Sequence, residues 1–231
     1  MVAPKQNGEV RVCIDMRQVN KAIKRERHLT PTIGEIISDL NGAVWFSKLD
    51  LNQGYNQLEL DAESRYLTTF STHIGLRRFR RLNFGINCAA EIFQNAIRET
   101  LNGLRGVINI SDDIMVFGVD EKDHDANLNA VLQRIKDRGL TLKKEKCLFK
   151  KRSLIFQGYV FSENGIVPDP NKVRAIKECT NPKDVGEVRS LLGMTNFCFD
   201  LFHIMPQLRS RYVDLSRKMP RSCGQENKKT Q

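Results

Sequence analysis

Apolar residues along the chain follow two periods, and these predict strands and helices that alternate. Residues 10–14 alternate between apolar and polar side chains, which predicts a strand with one buried face. Residues 31–40 carry isoleucine and leucine at helical spacing, so a helix is predicted there. The mostly apolar run 43–51 predicts the next strand, which ends near a carboxylate, Asp50.

Two longer amphipathic helices and two hairpins are predicted further along. Apolar residues recur three and four positions apart over residues 88–101 and 120–138, and a glycine follows each run. In the first helix, the residues expected to face inward are Ala89, Ile92, Phe93, Ala96, Ile97 and Leu101. Short β-rich arms flank Ser111-Asp112-Asp113 and predict a tight hairpin. Residues 155–167 predict a second hairpin that turns at Glu163-Asn164-Gly165.

The C-terminal part of the chain has a different pattern. Beyond Pro168 and Pro170 only helices are predicted, over residues 172–179 and 185–197, so a domain boundary is expected near residue 168. Residues 209–231 carry seven basic and two acidic side chains with almost no apolar periodicity. They are expected to form a flexible basic tail.

Composition places the chain among basic globular proteins. Of its 231 residues, 40% are hydrophobic and 28% are charged, which excludes a largely disordered or fibrous protein. Lys and Arg total 37 against 27 Asp and Glu, and this formal net charge of +10 indicates a polyanionic partner such as nucleic acid. A solvated basic surface is the alternative.

Cysteine usage and hydropathy indicate an intracellular protein, in the cytoplasm or the nucleus. The six cysteines are scattered, with no C-x-x-C pair. No stretch approaches the roughly 18 apolar residues that a membrane span needs. The N-terminus lacks the pattern of a signal peptide. Secretion and a membrane partner are therefore not expected.

Three aspartates lie in or beside apolar β-rich segments, where carboxylates are not expected. Asp50 lies at the end of an apolar run, and Asp112 and Asp113 are adjacent within an apolar hairpin. Aspartate is disfavoured in strands, and adjacent carboxylates repel each other unless a cation lies between them. Mg²⁺ prefers carboxylate and phosphate oxygens, and two such ions can hold the attacking and leaving oxygens of a phosphoryl transfer. The alternative is an ordinary solvated turn.

Short sequence blocks in a fixed order carry a family resemblance. They read RVCIDMRQVNK (11–21), FSKLDLNQGY (46–55), LNFG (82–85), ISDD (110–113), GLTL (139–142), EKC (145–147), GYV (158–160) and VRSLLG (188–193). Over about residues 1–197, the chain resembles the reverse transcriptase domain of long-terminal-repeat retrotransposons of the Ty3/gypsy type.

The resemblance implies an α+β right-hand polymerase, with fingers, an antiparallel palm sheet backed by helices, and the start of a helical thumb. The implied division is partial fingers at 1–42, a palm at 43–167 with a fingers segment interleaved at about 60–85, a partial thumb at 168–205 and the basic tail at 206–231. The chain is expected to be truncated, without the ribonuclease H, protease and integrase domains of the full polyprotein.

The resemblance also implies roles for individual residues. Asp50, Asp112 and Asp113 match the catalytic, metal-binding aspartates, which implies two Mg²⁺ ions, with Mn²⁺ as a substitute. The matches to residues that bind the incoming deoxynucleoside triphosphate are Lys5, Arg11, Tyr55, Phe84 and Gly85. The matches to residues that bind the RNA or DNA template–primer are Phe156, Gln157, Gly158, Tyr159, Arg189, Gly193 and Phe197. From the residues alone, Tyr55 could be a core residue and Arg11 a surface residue.

A basic cluster is a further candidate for contact with the template–primer. Arg77, Arg78, Arg80 and Arg81 surround Phe79, which suits a segment that follows phosphates and stacks a base on its ring. The alternative is a solvated strand edge whose charges prevent aggregation.

Two features depart from the family pattern. Ile110 stands where the family usually has a tyrosine, so a ring and a hydroxyl beside the metal site are missing and reduced or altered activity is expected. After Phe197 the resemblance ends. The predicted function is RNA-directed DNA polymerase, with nucleotidyl transfer onto a primer 3′-hydroxyl. The alternatives are a catalytically weak fragment that only binds nucleic acid and a relic that does not fold stably.

Overall fold

The computed structural model describes residues 2–4, 10–25, 40, 42–178, 184 and 186–187. The chain divides into two compact units, Met1–Val167 and Pro168–Gln231. In the second unit, a helix spans Pro170–Lys177, two residues earlier than predicted, because proline is favoured in the first turn of a helix. The helices predicted over residues 31–40 and 185–197 lie almost entirely outside the described residues.

The elements alternate between strands and helices, as the sequence predicts. In chain order they are β1 (Val2–Pro4), β2 (Val10–Val12), α1 (Arg17–Ala22), β3 (Trp45–Asp50), α2 (Ala62–Leu67), β4 (Phe70–Thr72), β5 (Gly75–Arg77), α3 (Ala89–Leu101), β6 (Val107–Ile110), β7 (Asp113–Gly118), α4 (Glu121–Asp137), β8 (Leu148–Lys151), β9 (Ser153–Phe156), β10 (Tyr159–Ser162), β11 (Gly165–Pro168) and α5 (Pro170–Lys177). Short 3₁₀ helices lie at Gly54–Gln57 and Lys144–Lys146.

A four-stranded antiparallel sheet lies at the centre of the first unit, with the strand order β6-β7-β3-β8. Side chains alternate between its two faces. One face carries the fully buried Leu49, Ile114 and Val116, which belong to one apolar core with residues of α3 and α4. The opposite face therefore carries Lys48 and Asp50, at the end of β3.

Helix α3 begins one residue after Cys88 and ends before Gly103, close to the prediction. Its buried apolar residues are Ala89, Phe93, Ile97 and Leu101, four positions apart. Ile92 was predicted to face inward, but it is 43% exposed, because a stripe at spacing four leaves position 92 on the flank. Ala96 is half-buried. Gln94 is also buried, although it was not among the residues expected to face inward.

Helix α4 agrees with the sequence in its bounds and in its inner face. The Asp120 carboxylate caps it by accepting a hydrogen bond from the Asp123 N–H at 2.8 Å. The apolar spacing predicts that Leu128, Val131, Leu132 and Ile135 face inward. All but Leu132 are buried, and Leu132 is partly buried and packs against the same core.

The hairpin predicted over residues 155–167 is present as β10 and β11, and β9 adds a third strand, in the order β9-β10-β11. Besides the expected turn before Gly165, the chain reverses at Gln157-Gly158, where φ is +50° and +82°. Both central residues have positive φ, which a two-residue hairpin turn of this hand requires, but Gln-Gly is a weaker turn signal than Asn-Gly.

Two small antiparallel hairpins, β1–β2 and β4–β5, complete the first unit. The amide of Asn20 ties the segment after β2 to the loop before α3. Its Nδ2 donates to the Gly85 carbonyl at 2.8 Å, and its Oδ1 accepts from the Asn87 N–H at 3.0 Å. Within the described ranges, no helix has the length and apolar character needed to cross a membrane.

Candidate active site

The register of the central sheet brings Asp50 and Asp113 together. The two residues are direct cross-strand partners on β3 and β7, so their side chains leave the sheet on the same face. The register is fixed by the apolar pairs behind them, such as Leu49 with Ile114, because a slip of one residue would expose that core. Asp50 is buried, with 6% of its surface exposed.

Asp112 lies beside this pair in the turn between β6 and β7. The turn consists of Ser111 and Asp112, and Asp113 is already the first residue of β7, whereas the sequence predicted it within the turn. The Leu51 N–H donates to the Asp112 carbonyl at 2.9 Å, which attaches the turn to the end of β3. The three carboxylates therefore belong to one end of the sheet, although Asp50 and Asp112 are 62 positions apart in the chain.

Two lysines pair with these acids, and the sequence prediction missed both. Lys48 Nζ lies 2.9 Å from Asp113 Oδ2, and Lys146 Nζ lies 2.9 Å from Asp50 Oδ2. Lys48 precedes Asp50 by two positions, so strand alternation could have placed it on the same face. Lys146 comes from a distant 3₁₀ helix, and nothing local in the sequence indicates its contact.

The charges of this cluster act on one another. Burial raises the pKa of the Asp113 carboxyl, the Lys48 ammonium group opposes that shift, and the neighbouring Asp112 and Asp50 add to it. The hydrogen bond to Asp50 raises the pKa of Lys146, and Asp112 and Asp113 contribute to the same rise. All three acids thus act on one ammonium group.

The turn between β9 and β10 also reaches the acids. Gln157 Nε2 donates to Asp113 Oδ2 at 3.4 Å. Phe156 and Tyr159, which flank the turn, are 0% and 2% exposed, so their side chains are part of the core rather than a surface for template–primer. Of the four residues expected to bind template–primer here, Gln157 is the one with a partly exposed side chain.

The donor chemistry of the three carboxylates fits a hard divalent cation. Within the described part of the chain, no three acidic, His or Cys side chains are already arranged to hold one. Asp50 and Asp113 accept hydrogen bonds from lysine ammonium groups instead. A metal ion could bind these two carboxylates only by displacing the lysine ammonium groups.

The residues expected to hold a nucleotide are placed only in part. Tyr55 lies in the 3₁₀ helix after β3, and its ring centroid is 4.9 Å from that of Phe84 and 5.4 Å from that of Phe93. At Gly85 φ is +105°, and a Cβ atom would lie 2.9 Å from the Ile14 carbonyl oxygen, so the chain needs glycine there.

Other predicted contacts cannot be placed side chain by side chain. Arg11 is in β2, where the structure describes the backbone alone. Lys5, Arg189, Gly193 and Phe197 lie outside the described residues.

The arginines of the basic cluster are held partly by contacts within the chain. Arg78 lies over the Tyr66 ring at 4.3 Å and lowers the pKa of that phenol, and Arg81 Nη1 donates to the Gln57 carbonyl at 3.0 Å. Arg77 Nη1 donates to the Leu76 carbonyl at 2.9 Å, so three of the four arginines make contacts within the chain. All four are exposed.

Phe79 was expected to offer a ring for base stacking. Its ring is half-buried and packs against Phe70, with the centroids 5.5 Å apart. Its backbone N–H donates to Thr68 Oγ1 at 2.9 Å. Phe79 is thus an anchor for the β4–β5 hairpin, because that ring contact holds residue 79 against β4.

Comparison with known proteins decides the family. Residues 3–161 match the family described as "Reverse transcriptase (RNA-dependent DNA polymerase)". The chain belongs to the reverse transcriptase family. It is 36% identical over 193 residues to the retrovirus-related Pol polyprotein from transposon gypsy of Drosophila melanogaster, which covers 83% of this chain and 19% of that relative. The resemblance to Ty3/gypsy-type elements is confirmed. The chain spans less than a fifth of the length of the curated relatives that it matches first.

Solved reverse transcriptases share the fold. The foamy viral protease-reverse transcriptase in complex with double-stranded DNA superposes with a TM-score of 0.77 at 22% identity, over 85% of this chain and 35% of that one. The same viral protein in complex with an RNA/DNA hybrid gives 0.74 at 21%, over 95% and 30%. The predicted α+β right-hand polymerase fold is confirmed. Reverse transcriptases generally use divalent metal ions, and the three carboxylates have the matching donors.

Proposed function

We propose that this chain catalyses RNA-directed DNA synthesis and that Asp50, Asp112 and Asp113 are its catalytic residues. The observation that supports the proposal most directly is the cross-strand pairing of Asp50 with Asp113, beside the turn that carries Asp112. Family membership supplies the class of reaction. The proposed subdivision is a palm at residues 43–167, with fingers at 1–42 and about 60–85, and a partial thumb at 168–205.

The three carboxylates would hold two Mg²⁺ ions, for which Mn²⁺ can substitute. When bound, these ions lower the pKa of the primer 3′-hydroxyl and neutralise charge on the phosphates. The protein contributes a fixed arrangement of oxygen donors, because the sheet register and the Leu51–Asp112 hydrogen bond hold the backbone on both sides. Before a metal ion binds, the ion pairs with Lys48 and Lys146 offset the cost of burying the negative charges of Asp113 and Asp50.

The proposed substrates are a template–primer and deoxynucleoside triphosphates. Tyr55, Phe84 and Gly85 lie together on the chain segments that follow β3 and precede α3. A packed ring such as Tyr55 can reject a 2′-hydroxyl by occupying its space. We assign Gln157 and the arginines of the basic cluster to the template–primer, because they combine partial or full exposure with polar or cationic groups. These arginines are Arg77, Arg78, Arg80 and Arg81.

The test is extension of a DNA primer on an RNA template by the purified 231-residue chain in Mg²⁺. Wild-type protein should extend the primer, a chelator should stop extension, and Asp112→Asn should lower the rate by roughly 10³-fold or more, since the metal supplies much of the rate enhancement. Asp137→Asn is the matched control, because Asp137 is an exposed carboxylate at the end of α4.

Equal extension by wild type and Asp112→Asn would show that the carboxylates are assigned wrongly. Tight, salt-dependent nucleic-acid binding without any extension by wild type would favour the alternative of a binding fragment. The specific observation behind that alternative is Ile110, which pairs with Asp113 at the position where the family usually carries tyrosine.

A further inference from the structure

Gln94 is a buried polar side chain on the apolar inner face of α3. It is 5% exposed, and its helical neighbours Phe93 and Ile97 are 0% and 1% exposed. A buried amide is costly unless its donor and acceptor are both satisfied. The placement of this residue within the core therefore depends on its hydrogen bonds.

Both groups of the Gln94 amide bind the backbone of the β6–β7 hairpin. Its Oε1 accepts a hydrogen bond from the Ser111 N–H at 2.6 Å, and its Nε2 donates to the Asn109 carbonyl at 3.1 Å. The two backbone groups lie on either side of Ile110, so one side chain spans the end of β6 and the start of the turn. The contacts join α3 to the segment that presents Asp112.

The turn needs such a support. Ser111 has a φ of +55°, a left-handed conformation that a residue other than glycine adopts at some energetic cost. The Asp112 carbonyl is held from β3 by the Leu51 N–H at 2.9 Å. The Gln94 bonds act on the other side of the turn. Together they determine where the Asp112 carboxylate points relative to Asp50 and Asp113.

We propose that Gln94 is a positioning residue, which fixes the Ser111-Asp112 turn so that the three carboxylates can share divalent cations. The proposal rests on the proposed function of those carboxylates. Gln94 itself touches neither metal nor substrate, because it is covered by the core and reaches the site only through the backbone of residues 109 and 111. Groups that orient metal ligands in this way affect both metal affinity and turnover.

The test compares Gln94→Met with wild type in the full chain, using Mn²⁺ alone as the probe. Methionine has nearly the same length as glutamine but makes neither hydrogen bond. We expect Mn²⁺ affinity, measured by the paramagnetic signal of the free ion, to fall by about 10- to 100-fold. In primer extension, kcat should fall by a similar factor with KM for the nucleotide nearly unchanged, because the pocket residues are not altered.

Two further variants separate positioning from stability. Burial favours the neutral acid in Gln94→Glu, which keeps both an acceptor for the Ser111 N–H and a donor for the Asn109 carbonyl. This variant should retain Mn²⁺ affinity within a few-fold of wild type. Asn95→Ala alters the next residue of α3 and should behave as wild type, because the Asn95 amide donates to Glu99 and accepts from Arg98, both on the same helix. If Gln94→Met does not fold, Gln94→Asn replaces it, since a shortened amide stays polar but cannot span both partners.

The outcomes divide as follows. Folded Gln94→Met or Gln94→Asn with wild-type Mn²⁺ affinity and kcat would overturn the proposal. Loss of cooperative unfolding in both variants would also overturn it, because Gln94 would then serve core stability alone. A wild-type chain that neither binds Mn²⁺ nor extends a primer would count against the proposed function instead.

Discussion

The acid site and the arginine segment differ in how their residues are held. Asp50 is the last residue of β3 and Asp113 the first of β7. The other face of both strands lies in the core, so burial of Leu49 and Ile114 sets their register. The arginine segment, residues 77–81, begins at the last residue of β5 in the short β4–β5 hairpin, and every residue of β5 is exposed. Side chains whose strand register is set by the core are brought to one site. Three of the four arginines beside the exposed hairpin are instead engaged in separate local contacts.

The largest effect should come from breaking the core behind the acids. Leu49→Ala removes a fully buried side chain directly before Asp50 and should lower the free energy of unfolding by about 2–5 kcal/mol. Leu76→Ala on β5, where the side chain is 69% exposed, should change it by no more than about 0.5 kcal/mol. Urea denaturation of both variants measures the difference, and equal losses would contradict the comparison.

The arginine segment should respond through nucleic-acid binding rather than stability. Replacing two of the exposed arginines together, Arg77→Gln with Arg80→Gln, should weaken template–primer binding and lower the slope of log K against log salt by about 2, roughly one for each lost phosphate contact. Fluorescence anisotropy at several salt concentrations measures this. Lys122→Gln with Lys136→Gln makes the same charge change on the exposed face of α4. An unchanged slope in the arginine variant would show that Arg77 and Arg80 do not contact the phosphates of the template–primer.

The sequence predicted most of the fold because long, strongly periodic segments determine it. The bounds of α3 and α4 follow from helical spacing, caps and terminal glycines. The turn at Gln157-Gly158 was missed because no strong turn pair marks it, although the local twist requires positive φ.

The acids were predicted from charge placed on apolar strands, but their partners were not. Lys146 and Gln94 come from other elements, and only the three-dimensional arrangement brings them to Asp50 and Ser111. Such contacts depend on how helices pack against the sheet, which no local pattern encodes. Ile92 was predicted to be buried but is exposed, because apolar spacing alone does not distinguish the flank of the buried stripe from its centre.

The smallest expected effect concerns pH. Burial raises the pKa of the Asp113 carboxyl above its ordinary value of 3.8. A carboxyl with a raised pKa contributes most to stability below its unfolded pKa, and that contribution is lost as the pH rises through the folded pKa. Wild type should therefore lose stability relative to Asp113→Asn as the pH rises from about 3 to 6. Urea titrations across this range measure the free energy of unfolding of both proteins. A wild type that keeps or gains stability relative to Asp113→Asn as the pH rises would contradict a raised pKa for Asp113.

The most direct test of the central claim, that three distant acids share divalent cations, is Mn²⁺ binding by the purified chain without nucleic acid. We expect wild type to bind Mn²⁺ and each of Asp50→Asn, Asp112→Asn and Asp113→Asn to lower the affinity by about tenfold or more, with Asp137→Asn unchanged. Mn²⁺ affinity equal to wild type in a variant that carries all three asparagines would contradict the claim.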